Sequence, residues 1–452
     1  MPSSPAPDEQ GLRHQLSAGQ MIMVAVGGSI GTGLLLGSAA AIGAAGPSVI
    51  LSFLCAALIT WLVALAMGEL ASRHPAAGSF QLYATLYLGE WLGFLSGAGY
   101  WAAISISIGT EMVASATYMA LWFPRVPALV WIVLFAALLL AVNLRSVGSY
   151  GEFEYWFAMI KVVVIALFIV FGAGLLLTGR AAPQYTSQGG FFPKGLFAPL
   201  LALPFALYTF AGVEFVAVTS GESRSVAEIP TAVRGTFLSL TVVYLGAIVI
   251  LVGVMPWNRA GMSESPFVSV FRSMGIPAAG HLMNFAVLTA ALSGSNAALY
   301  SASRSLFGLA RRGWAPPFLG RLNRSGAPTP AILASSFAIV LALAMERWAP
   351  QTAFVSILNA ALFGLLLSWL ISLAAHFQMR RKLTASSLEA SLMPSPLGAW
   401  GSAAGFVLIA GFTLKTWYDS RLSFWSGIAY LVLLNLAYVL LKKIRSARKM
   451  AE

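Results

Sequence analysis

Two glycine-marked stretches and a few ionisable residues in apolar surroundings are the parts of this chain equipped for chemistry. The run Gly27 to Gly33 (GGSIGTG) puts four glycines in seven positions, and each costs a helix interior about 1 kcal/mol relative to alanine. A second weak stretch follows Pro204, where TFAGVE sets Gly212 and Glu214 deep in an apolar segment. Unwound backbone inside a membrane must have its N–H and C=O groups satisfied, so it persists only against protein or a wet cavity. A ligand can complete that satisfaction. Helix N-termini suit a carboxylate and exposed carbonyls suit an ammonium group, and a zwitterion such as an amino acid presents both. Close helix packing is the alternative role for such glycines, and Gly33 and Gly37 have the GxxxG spacing that serves it.

Ionisable residues inside apolar segments are costly, so they are expected to be paired or functional. Lys161 falls about two turns inside a span; it either snorkels toward the cytoplasmic side or, if enclosed, binds and releases a proton. Glu111 and Glu214 could carry a proton, pair with a cation or bind a basic substrate, and a structural ion pair is the competing role for each. Glu69 precedes Arg73 by four residues, which suits a cytoplasmic gate or an interfacial salt bridge. Phe210, beside the second break, suits a lid over a bound substrate.

The glycine run is not a phosphate loop: its order is G-x-x-G-x-G, no strand precedes it, and no Gly-Lys-Ser/Thr follows. His14, His74, His281 and His376 are scattered, there is one cysteine, and H-E-x-x-H is absent, so neither an enzyme, a metal site nor a cofactor is expected. Cys55 lies in an apolar segment and is expected to be packing.

The elements that must position these residues follow from composition. With 58% hydrophobic residues, 9% charged residues and a mean hydropathy of +0.81, the chain is too apolar to cover a soluble globule. Apolar stretches of about 20 residues match the hydrocarbon thickness of a bilayer, and nothing alternates with the period of barrel strands. Twelve spans are predicted near 18–45, 48–71, 91–121, 127–145, 154–178, 197–219, 231–255, 279–308, 329–346, 351–376, 397–417 and 423–442. Residues 72–90 are too polar and too short to cross, yet rich in aromatics, which suits the interface. Arg13 and His14 before an apolar run and AAAIGAAG resemble a secretory leader. The run is long for that role and leads directly into further spans, so it reads as the first of them.

The net charge of +12 does not call for nucleic acid. With a cytoplasmic amino terminus, most Lys and Arg fall on one side, from Arg73 through Arg311 and Arg312 to Lys442, Lys443 and Arg445. That is the positive-inside bias, with both termini cytoplasmic and the chain in the inner membrane. The basic tail could also attract anionic headgroups.

Spans one and six each break near the middle. Weak segments five spans apart predict two inverted repeats of five helices, each opening with a discontinuous helix. The expected organisation is a cytoplasmic segment 1–17, a first repeat 18–178, a second repeat 197–376, helices eleven and twelve over 397–442, and a basic tail 443–452.

Several motifs then carry a family resemblance. GGSIGTGLLLGSA, MGELASRHPAAGSF, GEFEYWFAMIKVVVI, FAGVEFVAVTSGE, VMPWN, NFAVLTAALSGSNAALYSASRSLFGLARRGWAP and GAPTP together span roughly residues 15 to 440. In that combination the chain resembles the amino-acid transporter family of the amino acid-polyamine-organocation superfamily. The resemblance implies a LeuT-type fold and amino-acid uptake, commonly driven by protons. It assigns substrate-carboxylate contacts to the backbone around Ser29, Gly31, Thr32 and Gly33, and ammonium contacts to carbonyls near Ile30 and Phe210; Gly212, at the second break, is a further substrate-binding candidate. Lys161 matches a family lysine thought to stand where sodium-coupled relatives hold sodium, which makes it the proton-coupling candidate; Ser293 and Ser295 lie near that region by the same analogy. One departure is GESRSVAEIP, which lacks the family's Asn-Pro after span six and bears on coupling or gating. An amino-acid exchanger is the main competing function, and a transporter-like nutrient sensor is a second, for which the short termini offer no signalling module. The sequence leaves the identity of the amino acid and the oligomeric state undecided.

Overall fold

The computed structural model describes residues 16–76, 79–144, 147–323, 326–383, 392–419 and 421–451. The expected cytoplasmic segment 1–17 therefore lies largely outside the described residues, as do Arg13, His14, Arg145 and Arg324. The described residues are helical, joined by turns, with one isolated backbone bridge between Leu16 and Ser223.

In chain order the helices are α1 (Ala18–Ser29), α2 (Thr32–Leu35), α3 (Gly37–Ala45), α4 (Val49–Arg73), α5 (Ser79–Leu88), α6 (Glu90–Ala120), α7 (Ala128–Asn143), α8 (Val147–Leu177) and α9 (Ala198–Thr209). They continue as α10 (Phe215–Thr219), α11 (Glu228–Val254), α12 (Pro266–Ser273), α13 (Pro277–Arg311), α14 (Thr329–Ser335), α15 (Phe337–Trp348), α16 (Ala353–Lys382), α17 (Gly398–Asp419) and α18 (Arg421–Ala451). Among the described residues, eight helices are long and apolar enough to cross a membrane. Three shorter apolar helices accompany them, Ala18–Ser29, Ala128–Asn143 and Ala198–Thr209. Two of these end at the glycine-marked stretches, which is why length alone does not recover a full span from either.

Local chemistry sets the ends. Ser17 caps α1 in a reciprocal box with Gln20, satisfying two N–H groups that a helix start leaves open. Gly46, at φ +63°, ends α3, and Pro47 opens the tight turn into α4. Proline likewise stands in the first turn of α12, α13 and α14, where its missing N–H costs nothing.

The helices α6, α13 and α16 form the packed centre, with α5 laid against α6 and α16. Within residues 72–90, expected at the interface, α5 buries Phe80, Gln81, Tyr83 and Ala84 against its neighbours. Because lipid is as apolar as a leucine side chain, such contacts rest on fit and on interhelical hydrogen bonds. Trp101 donates to Ser335 Oγ at 2.9 Å, Asn143 to Asn296 Oδ1 at 2.7 Å, Asn284 to the Tyr118 carbonyl at 2.9 Å and Tyr430 to the Gly99 carbonyl at 2.6 Å. Many large apolar side chains face outward, among them Leu58, Val133, Val170, Val340 and Leu433, as spans in contact with lipid require. On α4, Leu51, Leu54, Cys55 and Leu58 form one exposed stripe at helical spacing. Cys55, expected in the packing, therefore faces outward. The expected span 329–346 is one of the eight long apolar helices, Thr329–Trp348, with a one-residue interruption at Ser336 between α14 and α15.

Candidate functional site

The first glycine run leaves helix geometry at two residues. Ile30 stands at φ −76°, ψ 89° and Gly31 is extended at φ −134°, ψ −155°, so α1 stops at Ser29 and α2 resumes at Thr32. The second stretch behaves likewise. The helix α9 runs through Pro204 to Thr209, Gly212 adopts φ +106°, and α10 begins at Phe215.

The two breaks touch. A Cβ on Gly212 would lie 2.2 Å from Ser29 Oγ and 3.0 Å from Ser29 Cα. Glycine is therefore required at 212 twice over, by its positive φ and by this approach. A cavity of about 40 Å³ opens beside the junction. Gly28, Ser29, Gly31 and Gly33 line it from the first break, and Ala211 and Gly212 from the second. The remaining wall comes from α6, α13, α16 and the flanks of the second break: Ala103, Ile104, Ser107, Glu111, Gly294, Ala298, Ala361, Leu365, Tyr208 and Phe215.

Glu111 and Lys161 bond the two ends of the first break, Glu111 at Thr32 and Lys161 at Gly27. The Thr32 N–H donates to both carboxylate oxygens of Glu111, at 3.2 and 3.3 Å, as suits an anion at a helix start. A Cβ at Gly31 would meet Glu111 Oε1 at 2.5 Å, so a side chain there would push the carboxylate off the Thr32 N–H. Lys161, on α8, is 2% exposed and donates to the Gly27 carbonyl at 2.5 Å. Of its two expected placements, the enclosed one holds.

Glu214 is 1% exposed and its Oε2 accepts the Gly212 N–H at 3.0 Å, so it folds back on its own break. The Phe210 ring packs edge-on against Tyr244 at 5.0 Å and does not line the cavity; Phe215 does. Ile30 and Thr32 are buried at the break without lining the cavity. Ser293 and Ser295 flank the lining residue Gly294 on α13, and the Ser295 hydroxyl donates to the Ala291 carbonyl at 2.9 Å.

Glu69 lies apart from this site. Its Oε2 accepts from His376 Nε2 at 2.9 Å, from Arg380 Nε and Nη2 at 3.0 and 2.6 Å, and from the Ser395 N–H at 3.1 Å. His376 Nδ1 also hydrogen-bonds Ser402 Oγ at 2.6 Å. Arg73, its expected partner by sequence spacing, stands farther off at 3.8 Å. The carboxylate thus joins α4 to α16 and to the segment before α17, and His376 extends the link to Ser402 on α17.

The loop that departs from the family pattern also has a place. The Ala18 N–H donates to Glu228 Oε2 at 2.7 Å, and Arg224 donates to Glu228 Oε1 at 2.9 and 2.7 Å. The Arg224 N–H donates in turn to the Leu16 carbonyl at 3.0 Å. The start of α1 is therefore tied to the segment that follows the second break.

Sequence reasoning missed His376 and Arg380 as partners of Glu69. A helical repeat on α16, with His376 and Arg380 four residues apart, was the available signal. It also missed the apolar wall of the cavity, whose alanines and leucines look like any other residues of a span.

Comparison with known proteins bears on the same regions. The family model described as amino acid permease matches residues 20–441. The gamma-aminobutyric acid permease of Bacillus subtilis is 36% identical over 389 residues, covering 84% of this chain and 83% of that protein. The aromatic amino acid transport protein AroP of Escherichia coli K12 is 33% identical over 446 residues, covering 97% of each. A further Bacillus subtilis protein, the uncharacterized amino acid permease YtnA, is 33% identical over 441 residues and 95% of each chain.

Proposed function

The chain belongs to the amino acid permease family, and from that premise we propose that it takes up amino acids across the cytoplasmic membrane by proton symport with alternating access. The observation that carries the reading is the contact of the two helix breaks around one cavity, Gly212 against Ser29, with lining residues from both. The relatives named for gamma-aminobutyric acid and for aromatic amino acids support an amino-acid cargo.

In this reading the architecture is LeuT-type: twelve spans, two inverted repeats over 18–178 and 197–376, two further helices over 397–442, and both termini cytoplasmic. The cargo carboxylate binds backbone around Ser29, Gly31, Thr32 and Gly33, and its ammonium group binds carbonyls near Ile30 and Phe210, with Gly212 allowing the approach. Two features of the site support coupling to a proton. The Lys161 ammonium is bonded to the Gly27 carbonyl, so gain or loss of its proton changes the hold of α8 on the first break. The Glu111 carboxylate already occupies the Thr32 N–H that a cargo carboxylate would use. Two carboxylates cannot share that position while both are charged, so protonation of Glu111 would favour cargo entry. Ser293 and Ser295 stand near the coupling region, Glu214 holds the second break in shape, and Glu69 works as a gate on the cytoplasmic side.

Uptake into proteoliposomes tests this. An inward proton gradient should drive accumulation of amino acid, and Lys161→Gln should abolish accumulation while leaving amino-acid exchange across the membrane. Full gradient-driven uptake by Lys161→Gln would remove the proposed role of Lys161. Uptake that responds only to internal amino acid, and not to the gradient, would identify an exchanger instead.

A further inference from the structure

We infer that the cargo is an α-amino acid whose side chain is uncharged and apolar. The inference rests on the reading of the site given above and deepens it. If the two helix breaks hold the carboxylate and ammonium groups, the side chain must occupy the rest of the cavity. That remainder is formed by Ala103, Ile104, Phe215, Ala298, Ala361 and Leu365.

Each polar side chain in the lining is already engaged within the protein. Ser29 donates to the Ala25 carbonyl, Ser107 donates to the Ile104 carbonyl, Tyr208 shares a hydrogen bond with Thr110, and Glu111 accepts from Thr32. Among the described residues, no Asp, Lys, Arg or His lines the cavity. Glu111, the lining residue with a formal charge, sits at the first break, between Gly31 and Gly294, where an added Cβ would come within 2.5 and 3.1 Å of it. It therefore faces the end that receives the cargo's own charged groups. A charged side chain at the other end would be taken out of water with no counter-ion, a loss that pairing cannot offset there. An amino acid with its ammonium group at the far end of the molecule meets the same apolar wall.

Three of the wall residues are alanines on three different helices, Ala103 on α6, Ala298 on α13 and Ala361 on α16. Their methyl groups set the room left for the cargo side chain. A larger residue at any of them should exclude large cargo while sparing small cargo.

The purified protein in detergent, challenged with alanine, leucine, phenylalanine, aspartate, lysine, arginine and 4-aminobutyrate, tests the inference through ligand-induced thermal stabilisation. The same panel is then run as competition against radiolabelled uptake in proteoliposomes. Leucine or phenylalanine should act at concentrations at least about 100-fold below those needed for aspartate, lysine, arginine or 4-aminobutyrate. Ala361→Leu should lose phenylalanine while retaining alanine, the retained response showing that the variant is folded. Leu365→Ala, which enlarges the same wall, should shift preference toward larger side chains, so the inference stays testable if Ala361→Leu does not fold. Equal action by a charged amino acid or by 4-aminobutyrate would overturn it, as would an unchanged preference order in both variants. Stabilisation by neutral amino acids without gradient-driven accumulation would uphold the cargo class and overturn proton symport. No stabilisation by any member of the panel would overturn the site reading and the class with it.

Discussion

Replacing Glu69 by alanine should be among the most destabilising single changes available outside the cavity. The carboxylate is fully buried and gathers four donors onto one oxygen, two from Arg380, one from His376 and one from the Ser395 backbone. Arg380 is itself only 12% exposed, so removing Glu69 leaves a nearly buried guanidinium and a buried N–H without their acceptor. Breaking a buried ion pair from one side costs about 3–5 kcal/mol. Glu69→Gln keeps an acceptor oxygen but loses the charge. Bonds to a charged group exceed neutral ones by roughly 1 kcal/mol each, and they are not independent here, so about 1–3 kcal/mol is expected. The double variant Glu69→Ala with Arg380→Ala should recover part of the loss, with a coupling of about 1–3 kcal/mol. Equilibrium unfolding in mixed micelles titrated with sodium dodecyl sulfate measures the parent, Glu69→Ala, Glu69→Gln, Arg380→Ala and the double variant on one scale. A Glu69→Ala protein within about 0.5 kcal/mol of the parent would refute the reasoning. So would a double variant whose loss is simply the sum of the two.

Three other outcomes follow from the same contacts. Gly212→Ala should cost about 2–5 kcal/mol, from a backbone angle that residues with a Cβ avoid and from overlap with Ser29. Ser29→Gly in the same chain should return the part due to overlap, and no rescue in the unfolding titration would count against contact between the breaks. Glu228→Gln weakens the charge-assisted bond to the Ala18 N–H, so hydrogen exchange at the start of α1 should quicken several-fold; unchanged exchange would show that this tie does not hold α1. His74, hydrogen-bonded to Tyr87 at 2.7 Å, has its pKa lowered below the ordinary 6.5 by burial and by neighbouring Arg73. The unfolded chain therefore binds the proton more readily, and the stability contribution is complete above pH 6.5 and lost as pH falls through the folded value. His74→Gln should flatten the acid side of the stability curve, and an unaltered curve would remove His74 as its cause.

The sequence by itself determined that this is a helical membrane protein and where its two weak points lie. Hydropathy reports a bilayer directly, and four glycines in a short run carry a backbone cost that no neighbouring residue offsets. It also singled out Lys161, because a cation inside an apolar span has few tolerable surroundings. What it left open at each of these points depended on partners far away along the chain. Lys161 could snorkel or be enclosed, and only the packing of α8 against α1 chose the Gly27 carbonyl. Glu69 had a plausible partner four residues on, yet the donors that reach its Oε2 arrive from residues 376, 380 and 395. Phe210 stood beside the break in sequence, but the turn at Gly212 directs Phe215 into the cavity and sends Phe210 against Tyr244. Cys55 read as one more apolar residue of a span, and the orientation of α4 put it on the outer stripe. The apolar wall that limits the cargo is the plainest case. Alanine and leucine carry no local signal of function, and they acquire one only when α6, α13 and α16 bring them to the side of one cavity.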